Sequence, residues 1–313
     1  MLVWVDGSGA AMKAASFLHV AHTSARYVRV VRRPTSLRHP TEGVLRRPAV
    51  AALAVAVVLT GAGAAAANDW LPIFQTEQVA PVSITTDDLI ALPDLSAFGE
   101  LAVAGDPDVH EVADTAAASA QSGLDLPAVP DLPRGVSGQP AYQVAGKVTA
   151  TFTFSVDRAA DAAAEAGKAL PSPPPGLDGS RVRLMAGPGV AQIWESSSGL
   201  PALVVGRAVA PKAFSSGVRF EVVRDYLLSL PGLSDEIAAQ LRTFAADGST
   251  LPLPVPADLA TTKPARVNGL PATALATRDR TLAGVVWVDD GMVTVVAGAL
   301  DDDEVLTIAR DLR

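Results

Sequence analysis

The run AYQVAGKVTATFTFSV, residues 141–156, alternates almost residue by residue. Tyr142, Val144, Val148, Ala150, Phe152, Phe154 and Val156 fall on one face, and Gln143, Lys147, Thr149, Thr151, Thr153 and Ser155 on the other. A period of two belongs to an extended chain, whose successive side chains point to opposite sides. The pattern predicts one long strand, covered on one side and wet on the other, and therefore an antiparallel sheet with a solvated face.

Downstream, DRAADAAAEAGKAL (157–170) has helical composition and is stopped by PSPPPG. RVRLMAGPGVAQIWE (181–195) and PALVVGRAVAP (201–211) read as further strands broken by glycine turns. FEVVRDYLLSL (220–230) places Phe220, Val223, Leu227 and Leu230 at helical spacing, and Pro231-Gly232 ends it. Ser234 then caps a second predicted helix, DEIAAQLRTF (235–244), with two acidic residues against its N-terminal dipole. LPLPVP (251–256) reads as a rigid extended spacer. In TLAGVVWVDDGMVTVVAG (281–298), Asp290-Gly291 separates two β-rich runs, the strongest short-range hairpin signal. DDDEVLTIARDL (301–312) closes the chain as a helix with acidic residues at its start and arginine near its end. This order predicts the α+β class: an antiparallel sheet packed by helices, with an open half-barrel as one form of it, over residues 141–313.

Upstream, residues 68–140 are rich in Pro and Ala. Thr86-Asp87-Asp88-Leu89 reads as the capped start of a short helix ending near Leu92, and 125–140 as an extended connection. Before that lies RRPAVAALAVAVVLTGAGAAAANDW (46–70). Ala49–Ala67 carries no charge and would span roughly 28 Å as a helix, about the thickness of a hydrocarbon core. Its strong residues end at Leu59, and a small-residue run with A-x-A sites follows. Residues 48–67 are therefore expected to be either a single-pass transmembrane anchor behind a basic cytoplasmic arm (1–47), or a signal peptide cleaved near Ala67. The second case places the true start near Val44. Charge supports both: residues 1–47 carry eight basic residues against Asp6 and Glu42, whereas the remainder has a net charge of −14. Arg46 and Arg47 stay inside and the acidic part goes out. A buried helix of a soluble protein would leave that asymmetry a coincidence. The acidic bulk disfavours nucleic acid as a partner.

The segment VNGLPATALATRDRTLAGVVWVDDGMVTVVAGALDDDEVLTIARDL (267–312) has a v-G-x-x-a entry, a strand, WVDDG, a strand ending in glycine and an acid-led helix. It resembles a domain of unknown function at the extracytoplasmic C-termini of bacterial membrane-anchored proteins, including some anti-sigma factors. That group is similar to the LolA/RseB-type half-barrel of lipoprotein carriers and envelope-stress sensors. The exported region as a whole resembles actinobacterial membrane proteins of unassigned role. The resemblance supplies no catalytic residues. It also departs from the zinc-type anti-sigma factors, because the chain has no cysteine and its N-terminal arm is too short for a helical sigma-binding domain.

Chemistry is sparse. Without cysteine there are no disulfides, thiolate metal sites or thiol nucleophiles. After the apolar stretch the single histidine is His110, in a polar loop setting that reads as surface and not as part of a triad. One histidine excludes a histidine-based zinc site there. Asp289-Asp290-Gly291 reads as a turn and Asp301-Asp302-Asp303 as a helix start; a calcium site, if any, would use the latter. Gly187-Pro188-Gly189 has no following lysine and reads as a turn, not a phosphate loop. No cofactor is expected. Phe152, Phe154, Trp194 and Trp287 would either line an apolar groove able to hold a lipid, or form the core beneath the helices. The expected function is non-enzymatic: a membrane-tethered extracytoplasmic binding or regulatory protein engaging a protein partner at the outer membrane face, as part of an anti-sigma-like signalling or transport system. The alternative is a lipid or lipoprotein carrier that uses the groove.

Overall fold

The computed structural model describes residues 2–5 and 11–14, and residues 70–313 apart from 86–94, 106–107, 166, 168, 170, 197–200, 217, 230–238 and 240–247. The apolar stretch at 48–67 and the predicted helices at 86–92 and 235–244 lie outside the described residues, 239 excepted. Leu2–Val5 (β1) and Ala11–Ala14 (β2) pair antiparallel within a unit that ends at Leu53.

The second unit begins its described part with Leu71–Gln75 (β3), Gln78–Ile84 (β4), Gly99–Ala104 (β5), Val109–Val112 (β6) and the helix Thr115–Ser122 (α1). The alternating run is not one strand. It divides at Gly146-Lys147 into Ala141–Ala145 (β7) and Val148–Phe154 (β8), followed by the helix Val156–Glu165 (α2). Then come Arg181–Ala186 (β9), Gly189–Glu195 (β10), Pro201–Val209 (β11), Lys212–Ser216 (β12) and the helix Phe220–Leu227 (α3). Thr250–Pro256 (β13), Ala260–Val267 (β14), Leu270–Thr277 (β15), Ala283–Asp289 (β16), Met292–Gly298 (β17) and the helix Asp302–Asp311 (α4) complete it.

The strands form an eight-stranded sheet, β14-β15-β16-β17-β11-β10-β7-β6, and a five-stranded sheet, β3-β12-β9-β8-β5. Both are antiparallel and both keep two free edges, so the sheet system is open. Each of the consecutive pairs β5/β6, β7/β8, β9/β10 and β11/β12 sends one strand into each sheet. The neighbour order is the same in both sheets, β12-β9-β8-β5 in one and β11-β10-β7-β6 in the other. Four chain segments thus cross a common crease, at Gly105, Gly146-Lys147, Gly187-Pro188 and Ala210-Pro211. Gly187-Pro188 is accordingly a crossing between sheets and not a hairpin turn.

Glycine is what lets the chains meet there. Gly105 has φ 91°, and a Cβ on it would overlap the Lys147 carbonyl oxygen. Gly187 has φ 71°, and a Cβ would sit 2.9 Å from the Gly146 carbonyl oxygen. Both conformations are ones that L-residues with a Cβ rarely adopt.

LPLPVP is not a spacer. As β13 it pairs with β4 in the one parallel ladder among the described residues. Prolines at every second position (252, 254, 256) leave the N–H groups of Leu251, Leu253 and Val255 for pairing, which is how a proline-rich segment can serve as an edge strand. Residues ahead of 140 enter the same sheets as those after it: β5 pairs with β8, β6 with β7 and β3 with β12.

Candidate functional site

The four aromatic residues that could line a groove are all buried, but in two separate clusters. Phe152 and Phe154 project from β8 with Val182 and Leu184 of β9 and Ala213 of β12, as the cross-strand register requires. α2 covers them through Ala159, and Tyr226 of α3 meets Phe154 edge to face at 5.5 Å between ring centroids. Phe152 and Phe154 are themselves edge to face at 6.4 Å. Ile73, Phe74, Val82, Ile84, Phe98 and Leu251 belong to the same cluster.

Trp194 and Trp287 belong to the other cluster, on the eight-stranded sheet, with Leu203, Val205, Val285 and Val296. Val305, Ile308 and Ala309 of α4 cover it. The proline-rich segment 124–138 lies along the same sheet. Trp194 donates its indole N–H to the Gly138 carbonyl at 3.3 Å, and the Gln192 amide donates to the Pro127 carbonyl at 2.7 Å. Ala128 and Arg313 exchange backbone hydrogen bonds, which ties the segment to the end of α4. Gln143, expected on the wet side, is buried, as is its neighbour Val144; both faces of the sheet are covered around β7. The second face also meets β4, where the Thr273 hydroxyl donates to the Val79 carbonyl at 3.1 Å.

The polar candidates are engaged in local structure. His110 is exposed. Its Nε2 lies 2.8 Å from the Gln121 amide oxygen and its Nδ1 3.3 Å from the Asp108 carbonyl. Gln121 foremost, then Asp108, hold its pKa above the ordinary histidine value by stabilising the ring's N–H groups. Asp301 caps α4: its carboxylate accepts from the Glu304 backbone N–H at 2.8 Å, while Glu304 accepts from the Asp301 N–H at 3.0 Å. Asp302 is held by Lys263 at 2.9 Å. Asp290 and Gly291, at φ 45° and 73°, form the two-residue turn between β16 and β17 that the sequence predicted. Among the described residues no group of three His, Asp or Glu is placed to hold a metal ion, and no helix is long and apolar enough to cross a membrane.

One arrangement was not foreseen from the sequence. The second face of the five-stranded sheet carries three registered rows: Glu100, Thr153, Arg181 and Ser216; Ala102, Thr151, Arg183, Phe214 and Pro72; Ala104, Thr149, Met185, Lys212 and Gln75. At its corner the guanidinium carbons of Arg183 and Arg181 stand 3.9 and 4.9 Å from the centre of the Trp70 ring. The only available signal was the alternation of Arg181 and Arg183 with Val182 and Leu184. Nothing local links Trp70 to them, because β12 brings β3 alongside β9.

No protein-family model matches the chain, and no curated protein matches it.

Proposed function

We propose that the protein is a membrane-tethered extracytoplasmic binding module without catalysis, built on a curved open sheet of the LolA/RseB type, which engages a protein partner at the outer face of the membrane. The observation that carries this reading is the occupancy of the sheets' apolar faces by the chain's own elements. Phe152 and Phe154 pack under α2 and Tyr226, and Trp194 and Trp287 under α4 and residues 124–138. Side chains committed to a core favour a scaffold over a lipid carrier, which needs those aromatics around a cavity. Exposed His110, bound to Gln121, and helix-capping Asp301 favour structural roles for the groups best suited to chemistry. The tether rests on the uncharged stretch at 49–67 and the reversal of charge across it.

The test is fractionation of cells expressing the full chain, followed by N-terminal sequencing and native mass spectrometry of the extracted protein. Membrane retention, an N-terminus ahead of residue 48 and no stoichiometric acyl lipid are expected. A soluble protein beginning near Asn68 overturns the tether, and one bound acyl lipid per chain overturns the partner-binding module in favour of the carrier.

A further inference from the structure

The Trp70–Arg181–Arg183 corner carries positive charge with no ion pair to a carboxylate among the described residues. The ion pairs among the described residues use His110, Arg219 and Lys263, not these two arginines. The Nε of Arg183 is buried against the indole with no hydrogen-bond partner. Lys212 adds a third cation to the same face, where the registered strand positions among the described residues hold one carboxylate, Glu100, three strands away from it across the sheet. Trp70, Phe214 and Met185 are half-buried there, so apolar surface and positive charge are interleaved. This is the composition that settles at a bilayer–water boundary: an indole at headgroup level, with guanidinium groups that pair with phosphate in a bidentate way.

Chain geometry says which surface this face meets. Trp70 follows the uncharged stretch by three residues. Three residues reach at most about 11 Å, and the headgroup layer is roughly 5–8 Å thick on each side of the hydrocarbon. With the stretch retained as a span, Trp70 therefore stands in or just above the headgroups, and the arginines stacked on it stand there too. The chain after the uncharged stretch carries a net negative charge, so an anionic leaflet repels it on average, whereas this face offers the leaflet positive charge beside an indole.

We infer that the face bearing Trp70, Arg181, Arg183 and Lys212 docks on the membrane surface by binding anionic phospholipid headgroups, which fixes the orientation of the domain against its own bilayer. This rests on the tethered reading above. The partner-binding surface would then be a side turned away from the leaflet.

The absence of cysteine allows single-site labelling of the full chain. Ala102→Cys reports on the docked face and Ala160→Cys on the exposed side of α2, which covers the other face of the same sheet. Each variant is labelled with a fluorophore and reconstituted in phosphatidylcholine vesicles, with or without phosphatidylglycerol, that contain a headgroup-spin-labelled lipid as quencher. The expected result is strong quenching at 102 and weak quenching at 160, only when phosphatidylglycerol is present. Neutralising Arg181→Gln and Arg183→Gln together lowers the ratio of docked to undocked domain by about thirtyfold at low salt. Molar salt abolishes the difference in the unsubstituted face as well, because the screening length falls from about 10 Å at 0.1 M to about 3 Å at 1 M. Equal quenching at both sites, or quenching indifferent to lipid charge and salt, overturns the inference. A chain that does not float with the vesicles overturns the tether itself; one that floats but is not quenched at 102 overturns the docking alone.

Discussion

At Tyr226 the ring and the hydroxyl answer to different surroundings. The ring is buried against Phe154, while the hydroxyl donates to the Pro171 carbonyl at 3.1 Å. Burial raises the phenol's pKa above the usual 10.0, because the phenolate would have to form away from water. A raised pKa means that the folded state disfavours deprotonation. The associated stability is complete below pH 10 and is lost as pH rises through the folded-state value. Tyr226→Phe keeps the edge-to-face contact and removes both the hydrogen bond and the titration. Chemical denaturation is expected to show a loss of about 0.5–1.5 kcal/mol at neutral pH. That difference from the parent should shrink as pH is raised past 10, and a constant difference over that range would contradict the burial account. Phe154→Ala belongs to the same contact. It removes a ring that is 2 % exposed and is expected to lower stability by about 3–5 kcal/mol, read as a shift of the denaturation midpoint.

Among elements, the best-specified one is α4. Its boundary is written locally in Asp301 and Glu304, and its buried side chains Val305, Ile308 and Ala309 follow helical spacing. Asp301→Ala removes one half of the reciprocal cap and is expected to reduce stability by about 0.5–2 kcal/mol, whereas removing the exposed Lys263–Asp302 pair by Lys263→Met should change it by less than about 1 kcal/mol. The crease is the opposite case. Gly105→Ala and Gly138→Ala both place a Cβ at positive φ, but only the first drives it into a neighbouring carbonyl; nothing lies within 4 Å of a Cβ at Gly138. The first variant should therefore be the more destabilised of the two in thermal unfolding, and equal losses would mean that the crease is not tightly closed. The same contrast explains what the sequence could disclose. The β16–β17 hairpin and α4 are signalled within a dozen residues of themselves. The break at Gly146-Lys147 is silent because two residues inserted between β7 and β8 leave the odd–even pattern of 141–156 intact. The pairing of LPLPVP is silent because its partner lies 172 residues earlier, Gln78 opposite Thr250. The aromatic residues were legible as lining either an apolar groove or a core, but their division between two clusters depends on the same silent break. The Trp70–Arg181–Arg183 stack depends on β12 lying between β3 and β9, which no local pattern encodes.

At the scale of the molecule, strand pairing runs across the change of composition near residue 140, so residues 70–313 are expected to unfold as one unit. Each of β3, β4, β5 and β6 supplies an entire ladder to a strand drawn from beyond that point. Ile73, Phe74, Val82, Ile84 and Phe98 belong to the cluster of Phe152 and Phe154, and Ala118 of α1 covers Val144 and Val190. A fragment starting at Ala141 would lose all of these at once. It would expose Phe152 and Phe154 on one sheet and leave the edges of β7, β8 and β12 unpaired, an arrangement that invites aggregation. Burial of five large apolar side chains is worth roughly 1.5–3 kcal/mol each, so the loss is comparable to the whole stability of an ordinary domain, about 5–15 kcal/mol. The fragment is accordingly expected to be unfolded or aggregated by circular dichroism and gel filtration. The full chain should lose its near-ultraviolet signal (Trp194 and Trp287) and its β-sheet signal in a single transition at the same denaturant concentration. A fragment from Ala141 that unfolds cooperatively would show that the boundary in composition is also a boundary in folding, and that the four leading strands are an addition to a core able to stand without them.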